Sequence, residues 1–170
     1  ASLRLLVIYH NDIDNLEPLS HLNSLEELLL MNNAVVDLSP LSDLGGLTAL
    51  WLHDNNITDL APLTSLPLLE ELFLANNQVS DIAPIANLTS LVALGISGNE
   101  VSDREPLSDL PMLSGLDADQ NQISDITPLS GMTSLAGLSL SDNEISDLTP
   151  LAGLTSMQNL RMNNNMITAS

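Results

Sequence analysis

The chain of 170 residues contains no cysteine and no lysine, and it has one tryptophan, one tyrosine and one phenylalanine. Without cysteine there is no disulfide, no zinc–thiolate site and no thiol nucleophile, although this says little about compartment. Three basic residues stand against 22 acidic ones, giving a net charge of −19. Nucleic acid and anionic membrane surfaces are thereby excluded as partners, because phosphates demand clusters of Lys and Arg. No apolar run approaches the roughly 20 residues that span a bilayer, and Ala1-Ser2 leads into the pattern below without a signal-like segment. A processed or cut N-terminus would look the same.

What the chain does have is one pattern, repeated. Starting at Leu3, Leu25, Leu47, Leu69, Leu91, Leu113, Leu135 and Met157, eight repeats follow at a constant period of 22 residues, without insertion or deletion, and the last is incomplete. A period of this length marks a solenoid and overrides single-segment propensity. There is no linker and no composition break, so residues 1–170 read as a single array.

Within each repeat, columns 1, 4, 6, 11, 14, 17 and 20 are almost always Leu, Ile, Val or Met. No single helical or strand period produces that spacing, but a coil with several sides does. Columns 3 to 6 read as a short strand whose columns 4 and 6 point inward and column 5 outward. Column 9 is Asn in every repeat, from Asn11 to Asn165. An amide offers one acceptor and two donors to the unpaired peptide groups of a tight bend, so the column reads as structural.

Column 13 is Asp in six repeats and column 16 is Pro in seven. Ser39-Pro40, Thr127-Pro128 and Thr149-Pro150 therefore read as starts of short 3₁₀ or α turns. The Asp residues suit bonds to loop amides, and a stacked file of carboxylates could also attract a cation. Two positions break the pattern. Arg104 replaces an inward Leu or Ile in column 14, which predicts a local distortion with the guanidinium turned outward to Glu105, Asp103, Asp81 or Asp125. Ala118 underfills column 6, so the array is expected to be weakest around residues 100–125. The sequons at Asn56 and Asn87 read as chance.

The pattern L-x-x-L-x-L-x-x-N-x-I-x-D-L-x-P-L-x-x-L, clearest in Leu135 to Leu154, resembles the 22-residue class of leucine-rich repeats, in particular the internalin-like bacterial surface proteins. The resemblance covers essentially the whole chain. It implies an α/β repeat solenoid, a right-handed coil with a parallel β-sheet on the concave side and short 3₁₀ or α turns on the convex side. It further implies protein binding without catalysis or cofactor, in a secreted or surface-attached protein. Intracellular regulatory repeats of the same class make a cytoplasmic scaffold the alternative. Internalin-like proteins carry a helical cap before the repeats and an immunoglobulin-like domain after them, and neither is present in this sequence. Bare array ends imply flanking domains of a longer chain or end-to-end self-association.

Candidate contact residues come from differences between repeats in the outward strand columns 2, 3, 5, 7 and 8. Column 5 runs Val7, Leu29, Trp51, Phe73, then Gly95, Asp117, Ser139, Arg161, and column 7 begins Tyr9, Met31, His53. All three aromatic residues thus face outward in the first half, a poor use of them in a core and a good one in a contact surface. With Leu29, Met31 and Val7 they make an apolar patch, rimmed by Glu27, Asp54 and Glu71 together with Glu26 and Glu70. A protein partner with an apolar knob among basic residues would fit. The second half, with Asp117, Asp119, Gln120, Ser141 and Asp142 beside Gly95, Gly98, Gly115 and Gly137, reads as a solvated face or a wetter contact. His10 and His53 lie two turns apart and His21 sits on the convex turn, so no zinc site and no nucleophile–histidine pair assembles. The chain reads as no enzyme.

Overall fold

The computed structural model describes residues 2–102 and 105–168. Eight strands of three residues each form one parallel sheet in strict chain order: β1 (Leu5–Val7), β2 (Glu27–Leu29), β3 (Ala49–Trp51), β4 (Glu71–Phe73), β5 (Ala93–Gly95), β6 (Gly115–Asp117), β7 (Gly137–Ser139) and β8 (Asn159–Arg161). Register is constant, each residue pairing with the one 22 positions on: Val7 with Leu29, Leu29 with Trp51, Trp51 with Phe73, Phe73 with Gly95. The strands cover columns 3 to 5, one residue less than the sequence reading allowed, but ladder bonds continue past them. Leu30 N–H donates to Trp51 O at 2.9 Å and Asn32 N–H to His53 O at 3.0 Å.

Inward columns fill one continuous core. Leu28, Leu50, Leu72 and Leu94 from the strands meet Leu41, Leu63, Ile85 and Leu107 from the return side, all buried. Each such side chain contributes roughly 1.5–3 kcal/mol on burial, and the regular pattern repeats that contribution through the inner turns. Ala118, the small residue of column 6, is also buried. In the first and last turns the inward Leu3 and Leu160 are exposed, since no further turn covers them.

The column of asparagines closes the bend after each strand. Asn77 Nδ2 donates to Leu74 O (2.9 Å) in its own turn and to Leu52 O (3.0 Å) in the turn before, while its Oδ1 accepts from Ile57 N–H (2.9 Å). The same set recurs from Asn33 to Asn165. These are the peptide groups that the bend would otherwise leave buried and unpaired, as the sequence reading anticipated. Column 8, just before, holds the corner itself: His10, Asn32, Asp54, Asn76, Gln120, Asp142 and Asn164 have φ of 53–57°, and Gly98 has 64°. A left-handed corner explains why Asn and Asp dominate this column.

The return side carries 3₁₀ turns, Glu17–Leu19, Ser39–Leu41, Ala61–Ser65, Ala83–Asn87, Glu105–Asp109, Thr127–Leu129 and Thr149–Gly153, with no α-helix among the described residues. The column-13 Asp bonds the main chain two residues on: Asp37 Oδ1 accepts from Ser39 N–H and Asp147 Oδ1 from Thr149 N–H, at 2.8 and 2.9 Å. Those amides, with the Ser39 and Thr149 hydroxyls, hold both carboxyls below the usual carboxylate range. Turn chemistry accounts for the column. Arg104 lies outside the described residues.

Candidate functional site

Strand alternation leaves columns 3 and 5 on the outer, concave face of the sheet, where no core constraint selects them. On β3 and β4 these positions gather the largest side chains. The Trp51 and Phe73 rings stand edge to face with centroids 5.3 Å apart and planes at 77°, a geometry favoured by the ring quadrupoles. His53 tilts against Trp51 at 6.1 Å. Trp51 Nε1 donates to Glu71 Oε2 at 3.3 Å, tying the indole to one of the rim carboxylates. All three rings are half-buried. Burial lowers the His53 pKa below the ordinary imidazole value, against the raising pull of the Asp54 charge.

The remaining residues of the predicted patch are placed less tightly. Leu29 sits beside Trp51 in register and Met31 is half-buried. Val7 and Tyr9, at the first strand, are 45% and 46% exposed, and the Tyr9 ring meets His10 at 5.3 Å instead of joining Trp51. Asp54 belongs to the left-handed corner, with its Oδ1 accepting from Asn76 Nδ2 at 2.8 Å. His10 occupies the corner of its own turn and does not share a column with His53. Glu27, Glu70 and Glu71 surround a hollow of about 180 Å³ floored by Thr48 and Ala49, and Glu71 links it to the indole. Among the described residues, no three His, Asp or Glu side chains converge as a metal centre would require.

A second concavity lies where the sequence reads as a solvated face or a wetter contact. It is a trough of about 330 Å³ over β5 to β8, bounded by Phe73 at one end and Arg161 at the other, with Asp117 and Ser139 on its side. Its floor is Ala93, Gly115 and Gly137, backed by Leu94, Leu116 and Leu138. The acidic residues around it are tied down: Asp117 accepts from the Ser97 hydroxyl, and Asp119 from the Ser139 hydroxyl (2.7 Å) and Ser141 N–H (2.6 Å). The signal lay in column 3, where side chains disappear at Gly115 and Gly137 although neither residue has a positive φ.

A family model described as leucine rich repeats, two copies, matches residues 46–87, 68–112 and 133–170. No curated protein is significantly similar in sequence. Among solved structures, an internalin from Listeria monocytogenes superposes with a TM-score of 0.96 and 32% identity, covering 99% of this chain and 50% of its own. Internalin C2 of the same organism gives 0.77 and 36%, covering 93% of this chain and 80% of its own. The leucine-rich-repeat ectodomain of a plant membrane receptor kinase from Arabidopsis thaliana, solved in complex with Casparian strip integrity factor 2, gives 0.83 and 28% over 96% of this chain and 21% of its own. The chain thus spans half of the first internalin and a fifth of the receptor ectodomain.

Proposed function

The chain belongs to the leucine-rich-repeat family and is internalin-like, and from that premise we propose that it is a non-catalytic module that holds another protein on its concave face. The partner is a protein presenting an apolar knob flanked by Lys or Arg, and the module works outside the cell, in a secreted or surface-attached bacterial protein. The observation that carries this reading is the contact of Trp51 with Phe73 on the sheet's outer face. Large aromatic side chains give most to a fold when fully buried, and here the core is built of aliphatic residues while the rings stay half-exposed beside Glu27, Glu70 and Glu71. Rigid aromatic anchors within a charged rim are the usual makings of an interaction hot spot. No helix among the described residues is long and apolar enough to cross a membrane.

The reading is tested with a photo-crosslinking amino acid placed at position 9 on the concave face or at position 68 in the turn that precedes β4, where Leu68 is 53% exposed. The labelled chain is applied to intact cells. One dominant adduct from position 9, competed away by excess unlabelled chain but not by its Trp51→Ala variant, supports the reading. Equal adducts from both positions, or equal competition by the variant, sinks it.

A further inference from the structure

The trough over β5 to β8 has a floor that the fold itself does not explain. A Cβ built on Gly115 or on Gly137 meets nothing within 4 Å. Earlier turns carry Leu5, Glu27, Ala49, Glu71 and Ala93 at the same strand position. Glycine inside a strand weakens it, because its backbone loses more freedom on folding and it packs nothing. Gly95 is different: a Cβ there would stand 2.8 Å from Phe73 Cδ1, so the neighbouring ring accounts for it. Bare backbone at 115 and 137 is what a close approach by another main chain requires.

Charge says what approaches. Of the three arginines, Arg4 is paired with Glu26 and Arg104 lies outside the described residues. Arg161 is exposed at the end of the trough and makes no ion pair among the described residues. A guanidinium free of partners selects a carboxylate, which it can grip through two parallel hydrogen bonds. The other end is the apolar edge of Phe73. We propose that the trough receives an extended segment of a protein partner, its main chain over Gly115 and Gly137, an apolar side chain on Phe73 and a carboxylate side chain on Arg161.

Register fixes the spacing. Phe73, Gly95, Asp117, Ser139 and Arg161 are successive partners across β4 to β8, four strand intervals of roughly 4.8 Å, or about 19 Å. An extended chain covers that span with about six residues. Asp117, whose acceptor bond to Ser97 leaves further lone pairs, takes a peptide N–H or a basic side chain midway. With a net charge of −19 the chain repels acidic proteins at long range. The carboxylate is therefore a single group on an otherwise neutral or basic segment. This inference rests on the reading of the concave face as a protein-binding surface, while using residues separate from Trp51.

A displayed library of random linear heptapeptides, selected on the intact chain, tests it. The expected outcome is enrichment of sequences pairing an apolar residue with an Asp or Glu about five positions away. Gly115→Leu with Gly137→Leu should abolish their binding while leaving circular dichroism unchanged and the thermal midpoint unchanged or raised. Arg161→Gln, a surface change that keeps the test valid even if the double variant misfolds, should weaken binding roughly tenfold or more, and Trp51→Ala should leave it intact. Absence of enrichment, enriched peptides without an acidic residue, or binding indifferent to Arg161→Gln overturns the proposal. Failure here with crosslinking at position 9 still dependent on Trp51 would leave the concave patch standing. The reverse pattern would remove the patch and keep the trough.

Discussion

Phe73 and Gly95 are register partners on adjacent strands, yet they belong to faces of opposite shape. Before that boundary the sheet's outer surface is built up by Leu29, Trp51 and Phe73; beyond it the surface is hollowed out over Gly115 and Gly137. Behind both halves the same leucines pack and the same asparagine bonds recur. Core and face are therefore separable in this chain. The face can carry relief of either sign, raised or recessed, at no change in scaffold.

The largest expected effect tests whether the scaffold is truly common. Asn77→Ala and Asn143→Ala should each cost about 2–4 kcal/mol in denaturant unfolding, since each strips a buried N–H and several carbonyls of partners. Costs differing by much more than 1 kcal/mol would mean that the halves are not built alike. Next in size is a contrast of glycines. Gly95→Ala drives a Cβ into the Phe73 ring and should cost about 1–2 kcal/mol, a loss largely relieved when combined with Phe73→Ala. Gly137→Ala should be neutral or stabilising by up to about 1 kcal/mol. If both glycines behave alike, the boundary at Phe73 has been misplaced.

Smaller signals come from the ring cluster. Trp51 emission should be partly open to a soluble quencher, and more so in Phe73→Ala; a fully protected indole would contradict the half-exposed ring. Smallest is the effect of pH on His53. Its pKa is lowered by burial, so the folded state binds fewer protons than the unfolded one just below the ordinary imidazole value of 6.5. Stability from this group is full above that value and declines as pH falls below it, until the lowered pKa is passed. Wild type compared with His53→Gln should show a modest extra loss between neutral and mildly acid pH, confined to the first half. An identical decline in both proteins would exclude it.

Much of this was legible in the sequence, because a solenoid writes each structural demand eight times. Column 9 announced the bend, column 13 the turn bonds and column 5 the change of face, each from residue types whose chemistry admits few other uses. Three things were harder to read. The left-handed corner at column 8 was counted among the outward contact positions, since His10 and Gln120 obscure what Asn and Asp would otherwise signal. Tyr9 reads as part of the patch because column 7 also faces outward, and its ring instead pairs with His10. The sequence marks the second half as a polar face but not as a recess, because a missing side chain is ambiguous in sequence. Gly95 makes room for a ring, Gly98 turns a corner at φ 64° and Gly115 does neither.

The asparagine bonds have a mechanical corollary. Every amide from Asn33 onward is held jointly by two turns, so a turn cannot peel away without breaking bonds that its neighbour needs. Under tension between its termini the chain would hold its length, then yield one coil at a time from an end. Each step would release 22 residues, or up to about 75 Å of extended chain. Anchored at one end and gripped at the other, such an array is a series of fuses.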